Sequence, residues 1–445
     1  MTDKDEKDDP HKRSERLDEL LNKDPEELKK VILQSYDPDE RIKAIKTIQQ
    51  ENLNGYAKVL KKVALLDSTP RVRWMAARTI RDLENNKVVK DIIQDFKKGR
   101  SLLQMRAAEA LGEIGSEEAK KTLIDHYEDA SSEVRAQIVW SLGEIGGKDV
   151  FPILRKALDD DYTKVRRNAA QSLGEIGEEE YVDCLMEHLD DEDPNVKGMI
   201  ICALGEIGDE KAVKDLRKYL KDQNKDIRAM AIWALGEIGD KDVIEAVTEG
   251  LYDEDIQVRK EAIEALGKLG DKRAVFELLR NLDKNDPDMR KKAIDALGYL
   301  KDEKAVKYIR PALSDEDKEV RKYAIFAIGK MRNEECVYDL IRMLYSDNPN
   351  IRSISAWALG EIRSDVACDD LLQCLDDKDK KTKRDAALAL GKIGCRDAVD
   401  DIKKLLNEDD RWVRKFAVDA LKMICNENEI KDILNEFDGS EEFED

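Results

Sequence analysis

Residues capable of metal, nucleophilic or redox chemistry are present in this chain, but their spacing assembles no reaction. Of the three histidines, His11 stands in a charged N-terminal stretch. His126 and His188 each fall at the end of a helical segment and read as surface or half-buried side chains. The seven cysteines (Cys184, Cys202, Cys336, Cys368, Cys374, Cys395, Cys425) form no C-x-x-C pair. An odd, unpatterned set is expected to remain as reduced thiols, without disulfides. There is no G-x-S-x-G, no phosphate-binding glycine loop and no zinc spacing, so neither catalysis nor a metal or cofactor is expected.

What does recur is a pair of charges. An arginine returns at Arg135, Arg166, Arg228, Arg259, Arg290, Arg321, Arg352 and Arg414, with Lys197 and Lys383 in the same register. Six residues earlier an acid usually stands: Asp129, Asp160, Asp191, Asp222, Asp253, Asp315, Asp377 or Glu408. A basic ribbon for an acidic ligand is one reading. An acid for nearly every base favours the other, a ladder that ties one repeat's turn to the next. The guanidinium fork suits it by bonding two acceptors at once.

The elements that position these charges follow from a 31-residue repeat. A glycine marks it at Gly112, Gly143, Gly174, Gly205, Gly236, Gly267, Gly298, Gly329, Gly360 and Gly391, with no insertion between copies. After the second glycine of the unit Val258–Asp271, the segment 271–282 places Ala274, Val275, Leu278, Leu279 and Leu282 on one helical face. A polar turn follows, with a helix-capping residue four before the arginine: Ser131, Asp193, Asn224, Asp255, Asp286, Asp317, Asn348, Asp379 or Asp410. The second helix carries A-x-A-L-G and ends at a glycine suited to a left-handed cap. Each unit is therefore expected to be a hairpin of two helices of about three turns each. The marked glycine costs roughly 1 kcal/mol inside a helix, which implies close approach of a neighbouring helix there.

Where copies differ, a surface can be specific. Three residues before the mark stand Trp140, Gln171, Cys202, Trp233, Glu264, Asp295, Phe326, Trp357, Leu388 and Asp419. One residue after it, Glu113, Glu144, Glu175, Glu206 and Glu237 form an acidic row that then becomes Lys268, Tyr299, Lys330, Glu361 and Lys392. Met199 and Met230 lie earlier in the same helices. Aromatic and methionine side chains edged by glutamate suit a peptide or helix with apolar anchors and basic flanks. Packing between units is the competing reading for the tryptophans. A solvated face is the competing one for the glutamates.

The motif VRxxAAxALGEIGD with this period resembles the short HEAT-like repeat named after phycobilisome lyases, over residues 24–437. The resemblance implies an all-α, right-handed α-solenoid of about 13 helical hairpins, with second helices on the concave side. It implies little about function, because similar repeats serve as binding scaffolds, bilin lyases and deoxyhypusine hydroxylases. The hydroxylases hold iron with His-Glu pairs early in the second helices. Here those positions read Ala136-Gln137, Arg167-Asn168, Gly198-Met199, Ala229-Met230, Lys260-Glu261, Lys291-Lys292 and Lys322-Tyr323, without a histidine.

Charged residues make up 40% of the chain, aromatics 5%, and the net charge is −21. That balance opposes non-specific attraction to nucleic acid or anionic lipid and leaves room for a basic protein partner. No apolar run reaches the roughly 18–20 residues of a membrane span, and the N-terminus has no secretory core. The expectation is a monomeric, cytoplasmic, non-catalytic protein-binding scaffold. Residues 1–23 form a charged tail, 24–437 the solenoid with atypical capping units at 24–100 and 400–437, and 438–445 an acidic tail. Nucleic-acid binding through Lys260, Lys268, Lys291, Lys292, Lys322 and Lys330 is the alternative.

Overall fold

A computed structural model of the chain describes residues 25–280 and 286–436. The expected tails and Leu282 lie outside the described residues. Among those described, every regular element is helical and none is a strand. The chain folds as all-α solenoid stacks in two compact units, Met1–Ala212 and Val213–Asp445.

The second helices of the hairpins are numbered here in chain order. In the first unit they are α1 (Pro38–Gln50), α2 (Pro70–Asp82), α3 (Ser101–Ile114), α4 (Ser132–Ile145), α5 (Thr163–Ile176) and α6 (Pro194–Ile207). In the second they are α7 (Lys225–Ile238), α8 (Ile256–Leu269), α9 (Pro287–Leu300), α10 (Lys318–Met331), α11 (Pro349–Ile362), α12 (Lys380–Ile393) and α13 (Arg411–Ile424). A final helix, Glu427–Glu436, buries Ile433 at the C-terminal end.

Local chemistry starts and stops these helices. Asp193, Asn224, Asp255, Asp286 and Asn348 each accept the amide two residues on, satisfying a donor that the first turn leaves open. Ser131 occupies the same position without a side-chain bond. At the far end Gly177, Gly208 and Gly239 take positive φ (74°, 78°, 81°), the left-handed cap that glycine adopts without steric cost. Lys301, Arg332 and Arg363 fill that position in three later units, at φ 49°, 54° and 64°.

The marked glycines sit where neighbouring second helices nearly touch. A Cβ on Gly267 would lie 2.9 Å from the Ala296 Cβ, and one on Gly360 would lie 2.7 Å from the Ala389 Cα. Alanine or serine opposite, as at Ser141 and Ser172, completes the close packing. Val258, Ala262, Ile263 and Leu266 of α8 are buried, as are Ala274, Val275 and Leu278 of the following hairpin helix.

The first helices Asn86–Lys98 and Glu117–His126 are the expected α-helices of about three turns, but from Lys148 onward the first helices are shorter and carry 3₁₀ turns. Lys241–Tyr252, for instance, runs as three 3₁₀, six α and three 3₁₀ residues. At about 2.0 Å rise per 3₁₀ residue and 1.5 Å per α residue this spans about 21 Å. The 14 α-helical residues of α7 span about 21 Å as well. Tightening both ends lets a shorter segment match its partner's length.

Candidate functional site: an acidic, tryptophan-lined groove

Side chains of α2, α3 and α4 in the first unit build a groove. Trp74, Arg78, Glu109, Glu113, Trp140 and Glu144 line its volume of about 180 Å³. Trp74 enters from the second turn of α2. It is 40% exposed, and its indole N–H donates to Glu109 Oε1 at 2.7 Å. The guanidinium of Arg73 grips the same carboxylate with both arms at 2.9 Å, fixing that wall. Trp140 is half-buried on α4. The floor is Gly112, where a Cβ would meet the Ser141 Cβ at 2.7 Å.

Charge in this groove is unevenly matched. Arg78 Nε bonds Glu113 at 2.7 Å. Among the described residues, no basic group lies within 4.0 Å of Glu144, Glu175 or Glu206. Burial, then the neighbouring Glu113 and Glu175, hold the Glu144 carboxyl above the usual range. Burial and Glu175 do the same to Glu206. Glu175 is bonded by Gln171 at 2.9 Å. The four glutamates thus form a row that a cation would relieve.

Elsewhere the variable slot behaves differently. All ten of its residues are half-buried, and so are Met199 and Met230. Burial pushes the Cys202 thiol up to about 11. In the second unit, Trp357 stacks on Phe326 with centroids 5.0 Å apart and planes at 15°, while Lys330 Nζ lies 5.3 Å above the Phe326 ring. The Trp357 ring also comes within 2.9 Å of a Cβ on Gly329, so this pair packs between helices. Trp233 and Glu237 belong to the second unit, and Lys268 pairs with Glu237.

Trp74 escaped the sequence reading, which placed it in an atypical capping unit. Its signal was arithmetic: it precedes Trp140 by two repeats and one further helical turn.

The repeated arginines form a ladder. Arg166 donates to Asp191 through Nε at 2.7 Å and Nη2 at 3.0 Å, and through Nη1 to its own turn at Asp160 O, 2.9 Å. Arg135–Asp160, Arg228–Asp253, Arg290–Asp315 and Arg352–Asp377 repeat the two-armed contact. Lys383–Glu408 substitutes a single ammonium contact. Asp222 accepts from Arg228 through its backbone carbonyl at 2.9 Å. Burial opposes the charged form at Asp160, Asp191 and Asp315, yet the arginine and a backbone amide outweigh it and hold all three below the ordinary carboxylate range. At Asp253 and Asp377 the arginine bond is the largest influence in the same direction. Among the described residues, Arg259 and Arg321 bond only their own turns, at Asp253 O and Glu254 O, and at Asp315 O and Glu316 O. Lys284 and Ser346 stand where their acids would, and Lys284 lies outside the described residues.

The lysines of the middle repeats are already engaged. Lys260 meets Asp286 and Asp288 at 3.4 and 3.3 Å, and Lys291 meets Asp288 at 2.8 Å. Lys292 meets Glu264 at 2.6 Å, and Lys322 meets Glu319 at 2.7 Å. Lys268 meets Glu237, while Lys330 lies over the Phe326 ring.

His126 and His188 each contact a carbonyl of their own helix, Thr122 O at 2.9 Å and Cys184 O at 2.7 Å. Among the described residues, no group of three His, Cys, Asp or Glu side chains is arranged to hold a metal. One expectation is overturned. Cys368 and Cys395 are joined as a disulfide with Cα atoms 6.2 Å apart. Their separation of 27 residues is one repeat less one helical turn, which brings neighbouring hairpins' first segments together. The absence of a C-x-x-C pair says nothing about such inter-repeat neighbours. Cys184, Cys202, Cys336, Cys374 and Cys425 are free.

A profile of HEAT repeats matches residues 89–165, 157–228, 213–298, 275–325, 309–381 and 369–437, an overlapping series covering most of the chain. No curated protein matches the sequence. Among solved structures, importin β crystallised in ammonium sulfate aligns over 89% of this chain and 61% of its own, at 14% identity and a TM-score of 0.55. Yeast importin-β, Kap95p, aligns over 95% and 63% at 13% identity and 0.52. Kap95p bound to RanGDP aligns over 95% and 62%, also at 13% and 0.52. The chain spans about three fifths of the length of these importins. Likeness at such identity shows the fold alone.

Proposed function

The chain belongs to the HEAT-repeat family, and we propose that it is a non-catalytic protein-binding scaffold that grips a basic segment of its partner on the second-helix face of its first unit. The observation that carries this reading is the groove itself. Two indoles flank three carboxylates there, Arg78 is the one base lining it, and Glu144 stands without a cation. Indole faces attract ammonium and guanidinium groups, the more so when partly desolvated, and carboxylates select the same charge. Glu175, Met199, Cys202 and Glu206 extend the contact surface along α5 and α6. Met230, Trp233 and Glu237 offer a related surface on the second unit.

The scaffold mode is supported by the importin likeness, since Kap95p is seen bound to the protein RanGDP. The 31-residue period and the ALGEIGD wording support placing the chain in the phycobilisome-lyase-type branch of HEAT repeats. No helix among the described residues is long and apolar enough to cross a membrane. Five of the seven cysteines are unpaired, but the Cys368–Cys395 disulfide runs against the fully reduced set from which cytoplasmic residence was expected.

The test is affinity capture from the native source with wild type and a Trp74→Ala, Trp140→Ala variant that melts at the wild-type temperature. Partners lost only from the variant, with lysine- or arginine-rich contact segments, are the expected result. An unchanged set would remove this groove from the binding surface. Nucleic acid in the eluate would point to the middle-repeat lysines instead.

A further inference from the structure

We propose that Ser346 is a phosphorylation site, and that its phosphoryl group supplies the anion missing from the ladder at Arg321. Of the ten positions in register from Asp129 to Glu408, eight hold an acid and one a lysine (Lys284), and Ser346 is the one that bears a hydroxyl. Where the residue is aspartate and described with its arginine, the side chain does two things. One oxygen accepts the amide two residues on, as Asp191 does from Asp193 at 2.8 Å and Asp377 from Asp379 at 2.7 Å. The carboxylate as a whole takes the two-armed grip of the preceding repeat's arginine.

Ser346 occupies the same place in the turn. Its Oγ accepts the Asn348 amide at 3.3 Å, and its carbonyl accepts Arg352 Nη1 at 2.9 Å, as Asp160 O accepts Arg166. Arg321 is likewise held as its counterparts are. Its Nη1 donates to Asp315 O at 2.6 Å and Glu316 O at 3.1 Å, as Arg228 does to Asp222 O at 2.9 Å and Gln223 O at 3.3 Å. The difference is confined to the outer edge. Nε and Nη2, which elsewhere grip the next carboxylate, have none within 4.0 Å among the described residues, and the following residue, Asp347, does not fill the gap. A guanidinium oriented by its own turn, with a serine in the register position where its counterparts meet aspartate, is the arrangement a phosphoserine completes.

The group transfer balances with a nucleoside triphosphate as donor, bound by a partner protein kinase. Ser346 Oγ attacks the γ-phosphorus, and the new O–P bond forms as the bond to the β,γ-bridging oxygen breaks. The nucleoside diphosphate leaves with that electron pair, and the hydroxyl proton passes to the kinase's base. Access is from the turn, where Ser346 is half-buried between exposed Tyr345 and Asp347. Modification would close the joint between the repeats of α10 and α11, making stiffness there a controlled quantity.

The experiment installs phosphoserine at 346 in the full chain and compares it with the unmodified protein, each with and without Arg321→Gln. The phosphorylated protein is expected to melt roughly 2–4 °C higher. By ³¹P NMR, its second phosphate pKa should lie below the value of about 6 typical of phosphoserine. Arg321→Gln should abolish both effects, and protein isolated from its native cells should carry one phosphoryl group on the Ser346 peptide. No gain in melting temperature, or a gain that survives Arg321→Gln, overturns the proposal. So does native protein unmodified at Ser346 that gains the same Arg321-dependent stability from inorganic phosphate, which would mark a site for free anion.

Discussion

Arg166 and Arg228 are 7% and 8% exposed, and a charge so placed is stable only with its partners in reach. Removing one member of such a pair strands the other, at a cost of about 3–5 kcal/mol. Arg228→Ala should therefore destabilise the second unit by about that much in denaturant melts, whereas Arg321→Ala, which abandons only carbonyl bonds, should cost about 1 kcal/mol. Equal costs would contradict the account of the ladder. The same carboxylates fix a pH dependence. Asp160, Asp191, Asp253, Asp315 and Asp377 have folded-state values below their unfolded ones. Their stabilisation is complete above the unfolded value of about 4 and is lost as pH falls through the folded values. Glu144 and Glu206 are raised and act with the opposite sign: their penalty grows as pH rises through their folded values. Glu144→Gln is thus expected to raise the melting temperature at neutral pH and leave it nearly unchanged in acid. A lower melting temperature at neutral pH would show that Glu144 is satisfied as it stands.

At the scale of the helix, backbone conformation gives a separate prediction. Lys301, Arg332 and Arg363 hold the left-handed cap that glycine fills elsewhere. A side chain there costs roughly 1–2 kcal/mol. Each substitution to glycine should recover about 1 kcal/mol in a denaturant melt. Gly267→Ala should do the reverse, because its Cβ would come within 2.9 Å of the Ala296 Cβ. Such features were legible in the sequence because they repeat. A residue type that returns every 31 positions reports a backbone need shared by all units, and the caps, the glycines and the Arg–Asp pairing are of that kind. Features that occur once were not legible. The 3₁₀ ends of the first helices follow from matching partner lengths, which no single residue announces. Trp74 lies in a unit whose consensus is worn away. The Cys368–Cys395 contact needs the repeat's geometry before its 27-residue separation acquires meaning.

At the scale of the molecule, the net charge of −21 sets the sign of the long-range field, and the groove on α2, α3 and α4 gives it a place to act. Basic partners should associate faster at low ionic strength, with the effect fading as the screening length falls to about 8 Å near physiological salt. In the middle repeats five of the six lysines meet neighbouring carboxylates, and Lys330 lies over the Phe326 ring. The most direct test is selection from a displayed random-peptide library against the full chain, against Trp140→Ala and against a Glu113→Gln, Glu144→Gln variant, all confirmed folded by their melts. The account predicts that wild type enriches peptides with lysine or arginine beside an apolar residue, with synthetic versions binding at least ten-fold more weakly to either variant. Enrichment of acidic peptides, or one basic set captured equally by all three proteins, would contradict it.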